Sequence, residues 1–198
     1  MQQEERGWLR RAIKGDAQAF SRIVEIYSKP VYNLCYRMLG NAEDAEDAAQ
    51  ETFIRAFKAI KRYDPQRKFA TWLLSIAANY CIDQYRRLRP VMVELEDAPA
   101  EYLADRNPGP EMSLIRSEVG DEVQDMLVGS LDSRDRAAVM LYYWYDHSYE
   151  EIGEMLNISE TALKSRLHRA RKSLARAWNE KESKSVIATR RTRETAAL

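Results

Sequence analysis

The stretch 148–174, SYEEIGEMLNISETALKSRLHRARKSL, constrains the fold more than any other part of the chain. Ser148 and Glu151 stand three apart, the capping-box spacing, so a helix is predicted to begin there. Ile152 and Leu156 give it an apolar stripe. Asn157 tolerates the left-handed backbone of a sharp corner. Ser159 is suited to cap a second helix, with Glu160 at that helix's positive end. In this second helix Leu163, Leu167, Ala170 and Leu174 recur at intervals of four, three and four and form one buried seam. Thr161, Lys164, Ser165, His168 and Arg171 fall on the opposite side, with Arg166, Arg169 and Lys172 flanking them. A short helix, a turn and a helix with one apolar and one basic face fit a helix-turn-helix whose second helix enters a major groove. A helical hairpin with a merely solvated basic face is the rival reading. Against it, no acid interrupts residues 161–177, and the segment before them is strongly acidic, so the cations are concentrated.

That uneven charge runs through the whole chain. Lys plus Arg balance Asp plus Glu, 31 against 31, which excludes a nonspecific polycation. Residues 1–90 nevertheless hold 16 basic and 11 acidic side chains, net +5. Residues 91–111 are net −5, residues 112–159 net −7, residues 160–180 net +4 and residues 181–198 net +3. Two positive surfaces separated by an acidic connector suggest two contacts with one polyanion. At 198 residues the chain suits one large domain or two small ones.

The two cysteines, Cys35 and Cys81, lie in apolar helical contexts without metal-ligand spacing. No metal and no cofactor is expected. The N-terminus has no signal-peptide core, and no run approaches the roughly 20 apolar residues of a membrane span. A cytoplasmic protein without membrane insertion is the expectation.

Glycine is sparse, β-alternation is absent and helical periodicity is nearly continuous, so the predicted fold is all-α. A first helix covers about residues 3–14, ended by Gly15, and Asp16 caps the next. Phe20, Ile23, Val24 and Tyr27 form the stripe of that second helix, which Pro30 should kink or break. Gly40-Asn41 is a stop and restart. In the third helix, residues 41–60, Ala45, Ala48, Ala49, Phe53, Ala56, Phe57 and Ile60 are assigned to the core. Glu43, Asp44, Glu46, Asp47, Gln50 and Glu51 crowd its first half. Acids there are favoured by the helix dipole, but so many carboxylates repel one another and suit docking on a basic partner.

Residues 62–69, RYDPQRKF, read as a loop, and Thr71 as the cap of a fourth helix. Its outward face carries Ser75, Asn79, Asp83 and Arg86, with Arg87 beside them; Asn and Arg are base-reading side chains. Lys68, Phe69 and Trp72 bring a cation and aromatic rings to the start of that face, a combination suited to unstacked bases. Phe69 and Trp72 are equally readable as core. Pro90 ends the first domain, residues 1–90. Residues 91–111 read as a flexible acidic linker able to span tens of ångströms. A helix over residues 112–128 and another capped by Asp132, with Val139, Met140, Tyr142, Tyr143 and Trp144 as a broad apolar surface, scaffold the helix-turn-helix in a second domain, residues 112–180. The tail, residues 181–198, reads as disordered.

Three segments in this order, AEDAEDAAQETFIRAF, RKFATWLLSIAANYCIDQYRR and SYEEIGEMLNISETALKSRLHRARKSL, closely resemble a bacterial RNA polymerase sigma factor of the extracytoplasmic-function (ECF) family, group IV. The resemblance covers about residues 8–178. It implies a sigma-2-like bundle and a sigma-4-like helix-turn-helix domain joined by the flexible linker, and a function in promoter recognition, −10 melting and initiation for a stress or envelope regulon. Asp44, Asp47, Gln50, Glu51 and Phe53 would then dock on the clamp helices of core polymerase, whose flap is a further partner. Lys68, Phe69, Thr71 and Trp72 would line a pocket for a flipped base, and Asn79, Asp83, Arg86 and Arg87 would read the −10 strand. Ser159, Thr161, Lys164, Ser165, Arg166, His168, Arg169, Arg171 and Lys172 would contact the −35 duplex. The resemblance also implies an inhibitory anti-sigma partner and a monomer within the holoenzyme. The alternative is a stand-alone helix-turn-helix regulator, which would not need the 62–72 loop. An enzyme is disfavoured, because the carboxylates cluster at one helix start without a nearby His.

Overall fold

The computed structural model describes residues 2–93 and 120–195, and every regular element among them is helical. In order these are α1 (Gln2–Ile13), α2 (Ala17–Leu39), α3 (Ala42–Ala59), a 3-10 turn (Ile60–Arg62), α4 (Phe69–Val93), α5 (Asp121–Ser130), α6 (Ser133–Tyr143), α7 (Tyr149–Leu156) and α8 (Glu160–Thr195). Helices α1 to α4 form one bundle, and α5 to α8 a second that carries the helix-turn-helix. The linker lies outside the described residues, except that the backbone of α4 stays helical to Val93. So does the start of the helix expected from residue 112.

Local chemistry sets most boundaries. Asp16 accepts the Ala19 N–H at 3.0 Å, Asn41 accepts the Asp44 N–H at 2.8 Å, and Asp132 accepts two N–H groups at 2.8 Å. Gly40 ends α2 at φ 88°, its N–H donating to the Tyr36 carbonyl at 2.8 Å.

The structure differs from the expectations at several points. Pro30 does not break α2. It removes one backbone bond, while Phe20, Ile23, Val31, Leu34, Cys35 and Met38 are buried along the same helix and hold it straight through. Thr71 is not a cap: α4 begins at Phe69, where ring contacts to Tyr27, Tyr63 and Trp72 fix the chain two residues earlier. Pro90 does not end α4, since its φ is compatible with a helix. Phe57 is 46% exposed and only edges onto Phe20; Tyr143 and Trp144 are also exposed. Residues 181–195, expected to be disordered, continue α8, in a stretch free of Gly and Pro.

The two bundles share one hydrophobic core. Helices α5 and α6 pack on α2, and α6 and α7 on α4. Arg136 of α6 is wholly buried at this seam. Its guanidinium donates to the carbonyls of Met38 in the first bundle and of Val128 (2.8 Å) and Leu131 (3.0 Å) in its own, and lies 4.8 Å over the ring of Tyr85. Gln124 donates to the Tyr36 carbonyl at 3.0 Å. The Tyr145 hydroxyl donates to the Pro30 carbonyl at 2.7 Å. Val128 comes so close to Gly40 that a Cβ there would lie 3.0 Å from it.

Candidate nucleic-acid interface

The helix-turn-helix is built as the spacing predicts. The Ser148 hydroxyl accepts the Glu151 N–H at 3.1 Å, and the Glu151 carboxylate accepts the Ser148 N–H at 2.9 Å. Asn157 makes the corner at φ 52°, ψ 53°, and the Ser159 hydroxyl accepts the Ala162 N–H at 3.2 Å. Leu163, Leu167 and Ala170 are buried. Thr161, Lys164, Ser165, His168, Arg169, Arg171 and Lys172 are exposed together on the far side. Lys164 is tied only loosely, 3.7 Å from Glu160, and is free to leave that exposed pair for a phosphate.

Arg166 departs from this pattern. It turns inward and pairs at 2.7 Å with Asp135, a buried carboxylate of α6 that Arg169 also approaches at 3.7 Å. The Arg166–Asp135 pair staples α8 to its scaffold, so Arg166 faces the protein, away from the exposed basic side chains.

The first bundle presents the second surface. Asn79, Asp83, Arg86 and Arg87 are exposed on α4, and Lys68 stands at its start. Phe69, in contrast, is only 4% exposed, locked among Tyr27, Tyr63 and Trp72; it is core and supports the pocket from behind. Trp72 is half-buried, and Thr71 Oγ1 is buried without a hydrogen-bond partner. The loop between the 3-10 turn and α4 is pinned by the Tyr63 hydroxyl, which donates to the Arg67 carbonyl.

Helix α7 of the second bundle lies against this surface. Asn79 Nδ2 donates to the Met155 carbonyl at 2.9 Å. Lys68 pairs with Glu151 and Arg67 with Glu154, each at 3.1 Å. A cavity of about 290 Å³ remains between them, lined by Lys68, Thr71 and Trp72 on one side and Glu151, Glu154 and Met155 on the other. The Ser148 N–H holds the Glu151 carboxyl down at about 2 against the opposing effect of burial, with help from Lys68 and His147. Burial pushes the His147 imidazole below its ordinary value, opposed by Glu151 at 3.5 Å.

On α3, Glu43, Glu46, Asp47 and Gln50 are exposed, continuing into the exposed apolar Ile54 and Phe57. Asp44 is partly turned back to its Asn41 cap, Glu51 pairs with Arg55 at 2.8 Å, and Phe53 is half-buried. Residues missed in the sequence are Arg67, Gln124, Asp135, Arg136 and Tyr145, each of which has at least one partner on a distant element. Among the described residues no group of His, Cys, Asp or Glu could hold a metal ion, and no helix is long and apolar enough to cross a membrane. Cys35 and Cys81 are both buried and free.

An exposed polar and basic face on α4 in one bundle and a helix-turn-helix with an exposed basic face in the other accord with the class that the comparisons show, the sigma-70 type of promoter-recognition protein. Residues 23–91 match Sigma-70 region 2, and residues 125–174 match Sigma-70 region 4. The chain is 41% identical over 168 residues to the ECF RNA polymerase sigma factor SigW of Bacillus subtilis (strain 168), covering 81% of this chain and 89% of that protein. It is 36% identical over 156 residues to the ECF sigma factor SigE of Mycolicibacterium smegmatis, covering 79% of this chain and 60% of that one. The solved structure of CnrH in complex with the cytosolic domain of CnrY has the same fold, with a TM-score of 0.62 at 24% identity over 89% of this chain and 97% of that one. The chain therefore belongs to the ECF RNA polymerase sigma factors. It directs promoter recognition by RNA polymerase and is not an enzyme.

Proposed function

We propose that the two surfaces grip one promoter together, α8 on the −35 duplex and α4 with the 62–72 loop on the opened −10 strand. Thr161, Lys164, Ser165, His168, Arg169, Arg171 and Lys172 serve the duplex, with Ser159 capping the reading helix. Lys68, Thr71 and Trp72 form the pocket for an extruded base, and Asn79, Asp83, Arg86 and Arg87 read its neighbours. The acidic and apolar face of α3, with Asp47 and Gln50 exposed, docks on the clamp helices of core polymerase; the second domain meets the flap. Each DNA contact alone is weak, and attachment to one core raises their effective concentration. The protein acts in the cytoplasm as the single sigma subunit of a holoenzyme, serves a stress or envelope regulon, and is restrained by an anti-sigma factor.

The observation that carries this reading is the pairing of an exposed, acid-free basic face on α8 with an exposed Asn79–Arg86–Arg87 face on α4 in one chain. A stand-alone regulator would use the first and have no need of the second. The test is run-off transcription with core enzyme on a randomised promoter library. Asn79→Ala should change base preference within the −10 element and leave the −35 preference as it is. Unchanged preference at every −10 position overturns the assignment of the α4 face.

A further inference from the structure

Residues 58–68 hold Lys58, Lys61, Arg62, Arg67 and Lys68 against one acid, Asp64, and all six side chains are exposed. Arg67 and Lys68 stand on the loop that borders the base pocket. Lys58 ends α3, and Lys61 and Arg62 belong to the 3-10 turn, on which α1 packs. Helix α1 brings one more cation to the same place. Its Glu5 accepts the Tyr27 hydroxyl, and Tyr27 and Tyr63 both meet the ring of Phe69, at 5.4 and 5.3 Å between centroids. Arg6 follows Glu5, Arg62 precedes Tyr63, and both side chains are open to solvent. Tyr63 in turn lies 5.2 Å from Trp72 in the first turns of α4. Arg6, Lys61 and Arg62 thus form a rim on one side of the pocket, while Asn79, Asp83, Arg86 and Arg87 lead away from it along α4 on the other.

This rim is not neutralised by the fold. Elsewhere in the bundle Arg11 is held by Asp16, Arg22 by Glu25 and Arg55 by Glu51. Among the described residues Arg6, Lys61 and Arg62 have no ion-pair partner. The acids nearest in sequence are engaged: Glu4 has a partner, Glu5 accepts from Tyr27, and Asp64 accepts the Gln66 N–H at 2.9 Å. Cations at a helix C-terminus offset its dipole, which accounts for Lys58 at the end of α3. It does not account for Arg6, which lies toward the positive end of α1. Free cations beside an aromatic cluster are the arrangement that follows a single-stranded backbone.

We propose that Arg6, Lys61 and Arg62 form a phosphate track for the opened strand beyond the base pocket. The proposal rests on the assignment of the pocket and the α4 face to the −10 strand. Helix α4 leads from the pocket toward the connection with the −35 domain, so the track lies on the start-site side. Its contacts are to phosphates, which position the strand without reading its sequence.

The experiment uses holoenzyme assembled from the full chain and core enzyme. The DNAs are forks, duplex through the −35 element, with a single-stranded non-template tail that stops at the −10 element or runs about five nucleotides further. Fluorescence anisotropy over a salt series gives affinity and its slope. Three neutralised phosphates should steepen the slope of log affinity against log salt by about 2 for the long tail, which should bind about tenfold tighter than the short one at roughly 50 mM salt. In the variant Arg6→Gln with Lys61→Gln the extra slope should fall to about 0.7, most of the long-tail advantage should be lost, and the short tail should bind as before. Changing the bases of the extension should alter nothing. The charge-retaining variant Arg6→Lys with Lys61→Arg should bind both tails like the parent, which separates lost charge from a disturbed fold. A parent that binds the long tail no tighter than the short one overturns the track. So does a Gln variant that keeps the full long-tail advantage, or loses affinity equally for both tails. If substitutions within the −10 segment leave the parent's affinity unchanged, the pocket and α4 assignment fails. A tail-length advantage that still depends on Arg6 and Lys61 then leaves a strand-binding rim and overturns its place beside a −10 pocket.

Discussion

Arg136 is a guanidinium placed where a hydrophobic side chain would be expected, and replacing it with methionine tests whether it joins the two bundles. The side chain is 0% exposed, so methionine keeps much of the volume and loses every donor. Three carbonyls are affected: Met38, Val128 and Leu131. Hydrogen bonds from a charged donor contribute about 1.5–3 kcal/mol each. The gross loss is then about 5–9 kcal/mol. Burying a guanidinium costs several kcal/mol, and the variant recovers that cost. The net destabilisation is about 3 kcal/mol. With a urea slope of about 2 kcal/mol/M, the unfolding midpoint falls by about 1.5 M. Because one of the three carbonyls belongs to the other bundle, the variant should also unfold in two steps where the parent unfolds in one. Tryptophan fluorescence and far-UV circular dichroism, followed in the same titration, separate the two steps. Arg136→Lys should fall in between, since a single ammonium nitrogen cannot span carbonyls that the guanidinium reaches from two separate nitrogens. A methionine variant that unfolds in a single transition within about 0.3 M of the parent would refute the reasoning.

Lys164→Ala should weaken −35 duplex binding nearly uniformly across sequences and lower the slope of log affinity against log salt by about one, measured by anisotropy over a salt series. Arg166→Ala should act on stability, lowering the melting temperature because Asp135 loses its 2.7 Å partner, while −35 base preference in the transcription library stays the same. Glu151 titrates near 2 in the folded chain against an ordinary value of 4.5, so its carboxylate stabilises the fold above about pH 4.5, and that contribution disappears as pH falls toward 2. Melting curves of Glu151→Gln should accordingly be flatter over this window than those of the parent.

Features set by neighbours a few residues away were legible in the sequence. The Ser148 capping box, the Asn157 corner and the Asp132 cap follow from residue type and spacing alone, and each has the expected bonds. What was not legible depends on which distant element arrives. Arg166 lies on the boundary between the two faces of α8, and only Asp135, 31 residues away, decides that it turns inward. Phe69 reads equally well as a base platform or as core until Tyr27 and Tyr63 close around it. Phe57 looks like core by periodicity, yet among the described residues no helix covers the outer side of α3 at that point. The seam itself gave no sequence signal, because Gln124 and Arg136 are ordinary polar residues of amphipathic helices and their acceptors are backbone carbonyls 88 and 98 residues earlier.

That distance has a consequence for how the protein is made. The end of α2 leaves the ribosome well before the side chains that complete it. At about 5–20 residues per second the wait is roughly 5–20 s. Once α4 has followed, the first bundle stands alone until the second arrives, without the Gln124 and Arg136 donors on the carbonyls of Tyr36 and Met38 and with the Asn79 face uncovered. A nascent chain with α4 complete already has the face proposed to meet single-stranded DNA and lacks the helix that later covers it.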